Sequence, residues 1–132
     1  MRALAGPAVS VTGYVSDIRP YISNSSVYVV PMRMGSGTKL KVMEAMAMGI
    51  PVVSTSLGAE GIDVTVGQHL QIADAPADFA HCVVTLLNDS RERQRLAGNA
   101  RRLVEEKYDW TTIVPSLEAI YTKSLISVTA GK

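Results

Sequence analysis

A chain of 132 residues has room for one domain of ordinary size, which on folding buries roughly two-thirds of its extended-chain surface. With 47% hydrophobic and 19% charged residues, and 13 Lys+Arg against 12 Asp+Glu, the formal charge is only +1, which excludes intrinsic disorder and a broad nucleic-acid-binding surface. The single Cys82 excludes an internal disulfide and a cysteine-rich zinc site, and no apolar run approaches the ~18 to 20 residues of a spanning helix, so a cytoplasmic chain with at most peripheral membrane contact is expected.

Short β-branched runs bounded by Gly, Pro or Ser predict buried strands over residues 9–15, 27–30 and 51–55, with a short fourth strand over 69–73 after Gly67. A short helix is expected over 17–23. Residues 38–48 hold good helix formers without proline, between the opening Gly35-Ser36-Gly37 and a stop at Gly49. Beyond residue 74 the period becomes helical. Phe79, Val83, Leu86 and Leu87 mark one helix behind a cap at Asp74, with Pro76 in its first turn. Leu96, Ala100, Leu103 and Val104 mark a second, starting near Asp89 or Ser90 with its Arg and Glu residues on the wet face. Ile113, Val114, Leu117, Ile120 and Tyr121 mark a last one behind Asp109 or Thr111. With no linker or internal repeat, one unit is expected, with frayed ends.

Strands that alternate with helices and read as continuous apolar runs predict an α/β fold: a partial doubly wound, Rossmann-like parallel sheet flanked by helices. Ligands of such sheets sit beyond the carboxyl ends of the strands, here the loops after Val15, Pro31 and Thr55.

The loop after Pro31 carries the strongest chemical signal. Its glycines allow close backbone approach, and the helix that follows aims free N–H groups and a positive dipole end into it, which makes an anion site. Arg33, Lys39 and Lys41 add positive charge. The pattern is neither GxxxxGK[ST] nor GxGxxG, so ATPase and dinucleotide readings lose support. Glu44 stands among small and apolar residues, where a buried carboxylate is costly unless paired or ligand-bound; the plainer alternative is a Glu on the wet side of an amphipathic helix. The neighbouring methionines read as core filler. Ser54 and Thr55 either donate to phosphate or cap the turn, Trp110 and Tyr108 read as anchors of the last helix, His81 beside Cys82 reads as structural, and His69 begins a short strand and lacks partners. Arg91, Arg93, Arg95, Arg101 and Arg102 form a solvated helix face, with anionic lipid as the alternative use.

From Gly35-Ser-Gly-Thr-Lys-Leu-Lys-Val-Met-Glu44 through Ala-Met-Ala-Met-Gly-Ile-Pro-Val-Val-Ser-Thr55 to Gly58-Ala-Glu-Gly61, the chain closely resembles the C-terminal donor-binding domain of group 1 retaining glycosyltransferases of the GT-B fold. The likeness extends to Val11-Thr-Gly-Tyr-Val15, Val27-Tyr-Val-Val-Pro31, Leu86-Leu-Asn-Asp89 and Tyr108-Asp-Trp110. It implies that residues 1–132 are a single truncated nucleotide-sugar-binding domain, the C-terminal portion of a glycosyltransferase of polysaccharide biosynthesis. It implies Glu44 on the ribose hydroxyls, the amides of Gly37, Thr38, Lys39 and Leu40 on the diphosphate, and the turn at Tyr14 and Val15 against the nucleobase, with Glu60 within reach of the donor sugar. Lys39, Lys41 or Arg33 would stand in for the family's phosphate-clamping Arg and Lys, whose strand–helix units are missing. No metal or cofactor beyond the nucleotide diphosphate-sugar is implied, and no catalytic residue is assigned.

Two departures accompany the likeness. Ser36 stands where the family's first motif glutamate contacts the donor sugar, as in members with a Gly-x-Gly-Thr-[Lys/Arg]-x-Lys loop. The N-terminal acceptor domain is missing as well, so the chain alone is expected to be inactive, and its acceptor, a glycan or a lipid-linked species at the inner face of the membrane, lies outside it. The resulting gap in the sheet is closed either by the first strand moving in beside the strand at 27–30 or by two chains pairing their exposed edges, and a homodimer or other self-association is expected. The competing reading is a non-enzymatic α/β remnant that binds nucleotide weakly or mediates self-association.

Overall fold

In the computed structural model, which describes residues 5–130 with side chains through Lys123, the elements follow in the order α1 (Arg19–Ser23), β1 (Tyr28–Val30), α2 (Leu40–Ala47), β2 (Val52–Ser54), α3 (Ser56–Ala59), β3 (Gln71–Ile72), α4 (Pro76–Asn88), α5 (Ser90–Lys107) and α6 (Trp110–Ala130). The fraying expected at the extreme ends falls on residues outside the described ones. The strands form one parallel sheet in the order β1-β2-β3, with Tyr28 opposite Val52 and Val53 opposite Gln71.

Strand β2 is buried along its whole length because both of its faces are covered. Val52 packs with Val42, Ala45 and Met46 of α2 and with Ala100 and Leu103 of α5. Val53, one residue on and therefore on the opposite face, packs with Leu86 of α4 and Leu96 of α5. Helix α5 thus serves both clusters, which is why its apolar residues recur along so much of its length. Its start falls where expected, and there the Asp89 carboxylate caps it, accepting from the Glu92 N–H at 2.9 Å. Helix α2 ends in a Schellman motif, with Gly49 N–H donating to Met46 C=O and Ile50 N–H to Ala45 C=O.

Four expectations are corrected. No strand forms over residues 9–15; Val11 and Tyr14 are exposed, and only an isolated antiparallel bridge joins Gly6 to Val9. A strand needs a neighbour to satisfy its backbone, and none is present beside this one among the described residues. Asp74 does not cap α4, whose N-cap is Ala75; its carboxylate instead accepts from the Ser56 N–H at 2.8 Å and the Ser56 hydroxyl at 2.6 Å. These bonds hold the Asp74 carboxyl below its usual range. A short helix at Ser56–Ala59, not expected from periodicity, is capped by Thr55, whose hydroxyl accepts from Gly58 N–H. Finally, the apolar residues whose spacing marks α6 do not reach the core: Leu117, Ile120 and Tyr121 are all exposed.

Candidate functional site

The loop between β1 and α2 is shaped by glycines. Gly37 has φ +90°, a conformation that side-chain-bearing residues rarely adopt, while a Cβ there would meet nothing within 4 Å. The residue is therefore needed for backbone direction rather than for space. The turn brings the chain to Lys39, the N-cap of α2, which makes no side-chain cap bond. Helix α2 begins at Leu40 rather than Thr38, so Thr38 and Lys39 remain in the loop. The backbone N–H groups of residues 37–41 have no acceptor among the described residues. Free donors of this kind, at the positive end of a helix dipole, are the elements of an anion site.

These groups open onto a cleft of about 860 Å³. At one end lie Gly37, Thr38, Lys39 and Leu40, with Glu44 on the adjoining face of α2 and Glu60 across from it on the loop after α3. All four positions whose amides the resemblance assigns to the diphosphate, residues 37–40, thus share one cavity with both carboxylates. Glu44 is exposed rather than buried, so its charge carries no desolvation penalty, and its carboxylate accepts no hydrogen bond among the described residues. It lies close enough to Tyr28 that its charge, after burial as the larger cause, raises the pKa of that phenol.

The other walls are apolar and come from distant sequence: Met43, Ile62, Val104, Tyr108, Trp110 and Ile113. Tyr108 is an anchor, as expected. Its hydroxyl accepts from Asp63 N–H at 2.8 Å and its ring packs on the core, which together with the Lys107–Asp63 ion pair ties the end of α5 to the loop after α3. Trp110 is not an anchor: it is 76% exposed at the cleft wall. Sequence reading took Val104 and Ile113 for apolar helix faces, Met43 for core filler and Tyr108 and Trp110 for anchors, and it assigned Ile62 no role; the one hint of another use was the chain's single tryptophan standing among polar residues at a helix start.

Other candidates lie elsewhere. Tyr14 and Val15, assigned to the nucleobase by resemblance, do not line the cleft, because the strand that would carry them there has not formed; Tyr14 is 94% exposed. Arg33, Ser36 and Lys41 are exposed and also lie outside the lining. Ser54 and Thr55 serve the turn, Ser54 Oγ donating to Thr55 C=O at 2.9 Å and Thr55 Oγ1 to Met32 C=O at 2.7 Å. His69 Nδ1 accepts from Thr65 N–H. The arginines of α5 are largely engaged: Arg93 donates to Leu86 C=O and Leu87 C=O, Arg95 pairs with Glu92, and Arg101 pairs with Glu105. A solvated, structurally used helix face accounts for them. No described helix is long and apolar enough to cross a membrane.

The family model described as glycosyl transferases group 1 matches residues 1–89. The chain belongs to this family. Among curated relatives of the chain, the capsular polysaccharide biosynthesis glycosyltransferase CapM of Staphylococcus aureus is 31% identical over 123 residues, covering 90% of this chain and 32% of that protein. An uncharacterized 44.6 kDa protein in the cps region of Klebsiella pneumoniae is 30% identical over 114 residues, covering 85% of this chain and 29% of the other. The chain therefore spans about three-tenths of the length of these relatives. In fold, the chain superposes on the C-terminal domain of LpcC, a group 1 family protein from Francisella tularensis, with TM-score 0.67 at 24% identity, covering 74% of this chain and 52% of that one. The three-stranded parallel sheet with flanking helices is that of a GT-B C-terminal domain.

Proposed function

We propose that residues 1–132 are a single truncated donor-binding domain, the C-terminal portion of a glycosyltransferase that moves a sugar, with retention, from a nucleotide diphosphate-sugar to a glycan or lipid-linked acceptor. The observation that carries the reading is the convergence, in one cleft, of the Glu44 carboxylate with the free N–H groups at the start of α2. A carboxylate on the helix accepts from both hydroxyls of a ribose, and the amides before it receive the diphosphate, whose developing charge they stabilise as the bond to the sugar breaks. Glu60, exposed across the cleft, would take the sugar. Tyr14 and Val15 would join only where a longer protein supplies the strands that draw their segment into the sheet, and Ser36 leaves the sugar without the family's first motif glutamate.

Calorimetric titration with UDP, GDP and ADP tests this. One nucleotide is expected to bind saturably, and Glu44→Ala to weaken it about tenfold or more, as for a hydrogen-bonded charge worth ~1.5–3 kcal/mol. Binding that ignores Glu44 would overturn the ribose assignment. Absence of binding up to millimolar nucleotide would favour the second reading, a remnant without a working donor site, to which the serine at position 36 already points.

The outer edge of β1 pairs with no strand among the described residues, and Val29 there is 44% exposed. In a longer protein the missing strand–helix units would cover it, and an acceptor domain would meet the exposed apolar residues of α6. For the chain alone, a second copy is the available cover. Sedimentation at tens of micromolar is expected to show a dimer; a monodisperse monomer would refute this. The chain alone is proposed to be inactive and to reside in the cytoplasm, with any membrane contact made at the inner face.

A further inference from the structure

Lys39 is only 2% exposed, and its Nζ has no hydrogen-bond partner among the described residues. An ammonium withdrawn from water without a counter-charge is costly, and folded chains rarely keep one unless something else neutralises it. Glu44 and Glu60 line the same cleft, yet neither forms an ion pair with Lys39. The other two cations of the loop differ in kind: Arg33 and Lys41 are exposed and lie outside the cleft lining. Two independent sets of unsatisfied donors therefore meet on one short stretch, the backbone N–H groups of residues 37–41 and the buried ammonium of Lys39.

A helix N-terminus carries about half a unit charge and accepts any small anion. The ammonium adds a full charge, which suits a ligand with a second phosphoryl group. Lys39 stands at the N-cap of α2 and Glu44 in its second turn, and both line the cleft, which orders a ribose at the carboxylate and the farther phosphate toward the N-cap and its ammonium. We propose that Lys39 Nζ is the side-chain ligand of the pyrophosphoryl group and pairs with the phosphate farther from the ribose. The loop then supplies its own counter-charge, and Arg33 and Lys41 take no part. The order of the two phosphates rests on the donor reading above; the pairing with pyrophosphate does not.

Calorimetry with inorganic pyrophosphate, and with nucleoside di- and monophosphates, separates the two. Lys39→Met keeps the buried stem and removes the charge. It is expected to weaken pyrophosphate and nucleoside diphosphate about tenfold or more and the monophosphate much less, whereas Arg33→Met and Lys41→Met change each by less than about threefold. Without ligand, Lys39→Met is expected to melt higher than the parent, because the unpaired charge is gone. Lys39→Gln, also neutral, should show the same loss of pyrophosphate and serves if the methionine variant does not fold. Equal pyrophosphate binding by parent and variants, or none by the parent at millimolar concentration, overturns the proposal. Pyrophosphate binding that needs Lys39 while no nucleotide binds would uphold the pairing and sink the donor reading. Nucleotide binding that needs Glu44 but not Lys39 would do the opposite.

Discussion

Leu96→Ala is expected to lower stability by about 2–5 kcal/mol, the range for truncating a fully buried leucine. Leu96 has no exposed surface and joins Val53 of β2 to Leu86 of α4, with Phe79, Cys82 and Val83 packed around them. This cluster is small, so few neighbours are available to collapse into the space left behind. Against a typical total of ~5–15 kcal/mol, the loss is a large share of what keeps a domain of this size folded. Thermal denaturation followed by circular dichroism should show a midpoint lower by roughly 8–20 °C. Leu87→Ala, on α4 but 50% exposed, provides the contrast and should change stability by less than about 1 kcal/mol. Equal effects of the two would mean that the packing between β2, α4 and α5 is not as described.

Gly58→Ala is the second large effect, and it acts by crowding. A Cβ at this position would lie 2.4 Å from Ser54 Oγ, 3.0 Å from Val30 C=O and 3.1 Å from Val30 Cγ1. The Val30 carbonyl is backbone at the carboxyl end of β1 and accepts from Thr55 N–H, so it cannot retreat without disturbing the β1–β2 junction. Overpacking of this kind costs about 1–3 kcal/mol. Because the nearest atom is a side-chain oxygen, Ser54→Ala in the same chain is expected to return part of the loss, which a double-mutant cycle in urea would measure as a coupling between the two positions. No coupling would place the strain on the Val30 backbone instead. Gly58 also lies in α3, whose C-cap is Glu60, so a shift of this helix should make the single variant bind nucleotide less well even where it remains folded.

The charge pattern of the cleft also follows from its geometry. Two carboxylates face an anion site, an arrangement that would repel phosphate if nothing intervened. In the proposed arrangement a ribose takes up Glu44, the sugar takes up Glu60, and the diphosphate lies against free amides and an ammonium. The exposure of Glu44 makes this affordable, since a carboxylate in water waits for its ligand without a burial penalty.

The sequence by itself determined the parallel α/β class, the positions of five of the helices, and the glycine loop that opens α2, because each of these is a local decision. Apolar period, glycine at positive φ and the Asp89 cap act over a few residues, and they outweigh their surroundings. The segment 51–55 was legible for the same reason: a run of β-branched residues buried on both faces needs no further information. Only the tertiary structure decided the rest. Residues 9–15 have the composition of a strand, but a strand exists only where a neighbour accepts its hydrogen bonds, and that neighbour is not encoded in the segment. Asp74 has the spacing of a helix cap, yet Ser56, eighteen positions earlier, lies nearer and takes its carboxylate. The apolar wall of the cleft is assembled from α2, the loop after α3, and the junction of α5 with α6, whose separation along the chain leaves no periodic trace. The same holds for Lys39. Its residue type and place before the helix could be read directly, but its withdrawal from water depends on how the surrounding elements close over the loop.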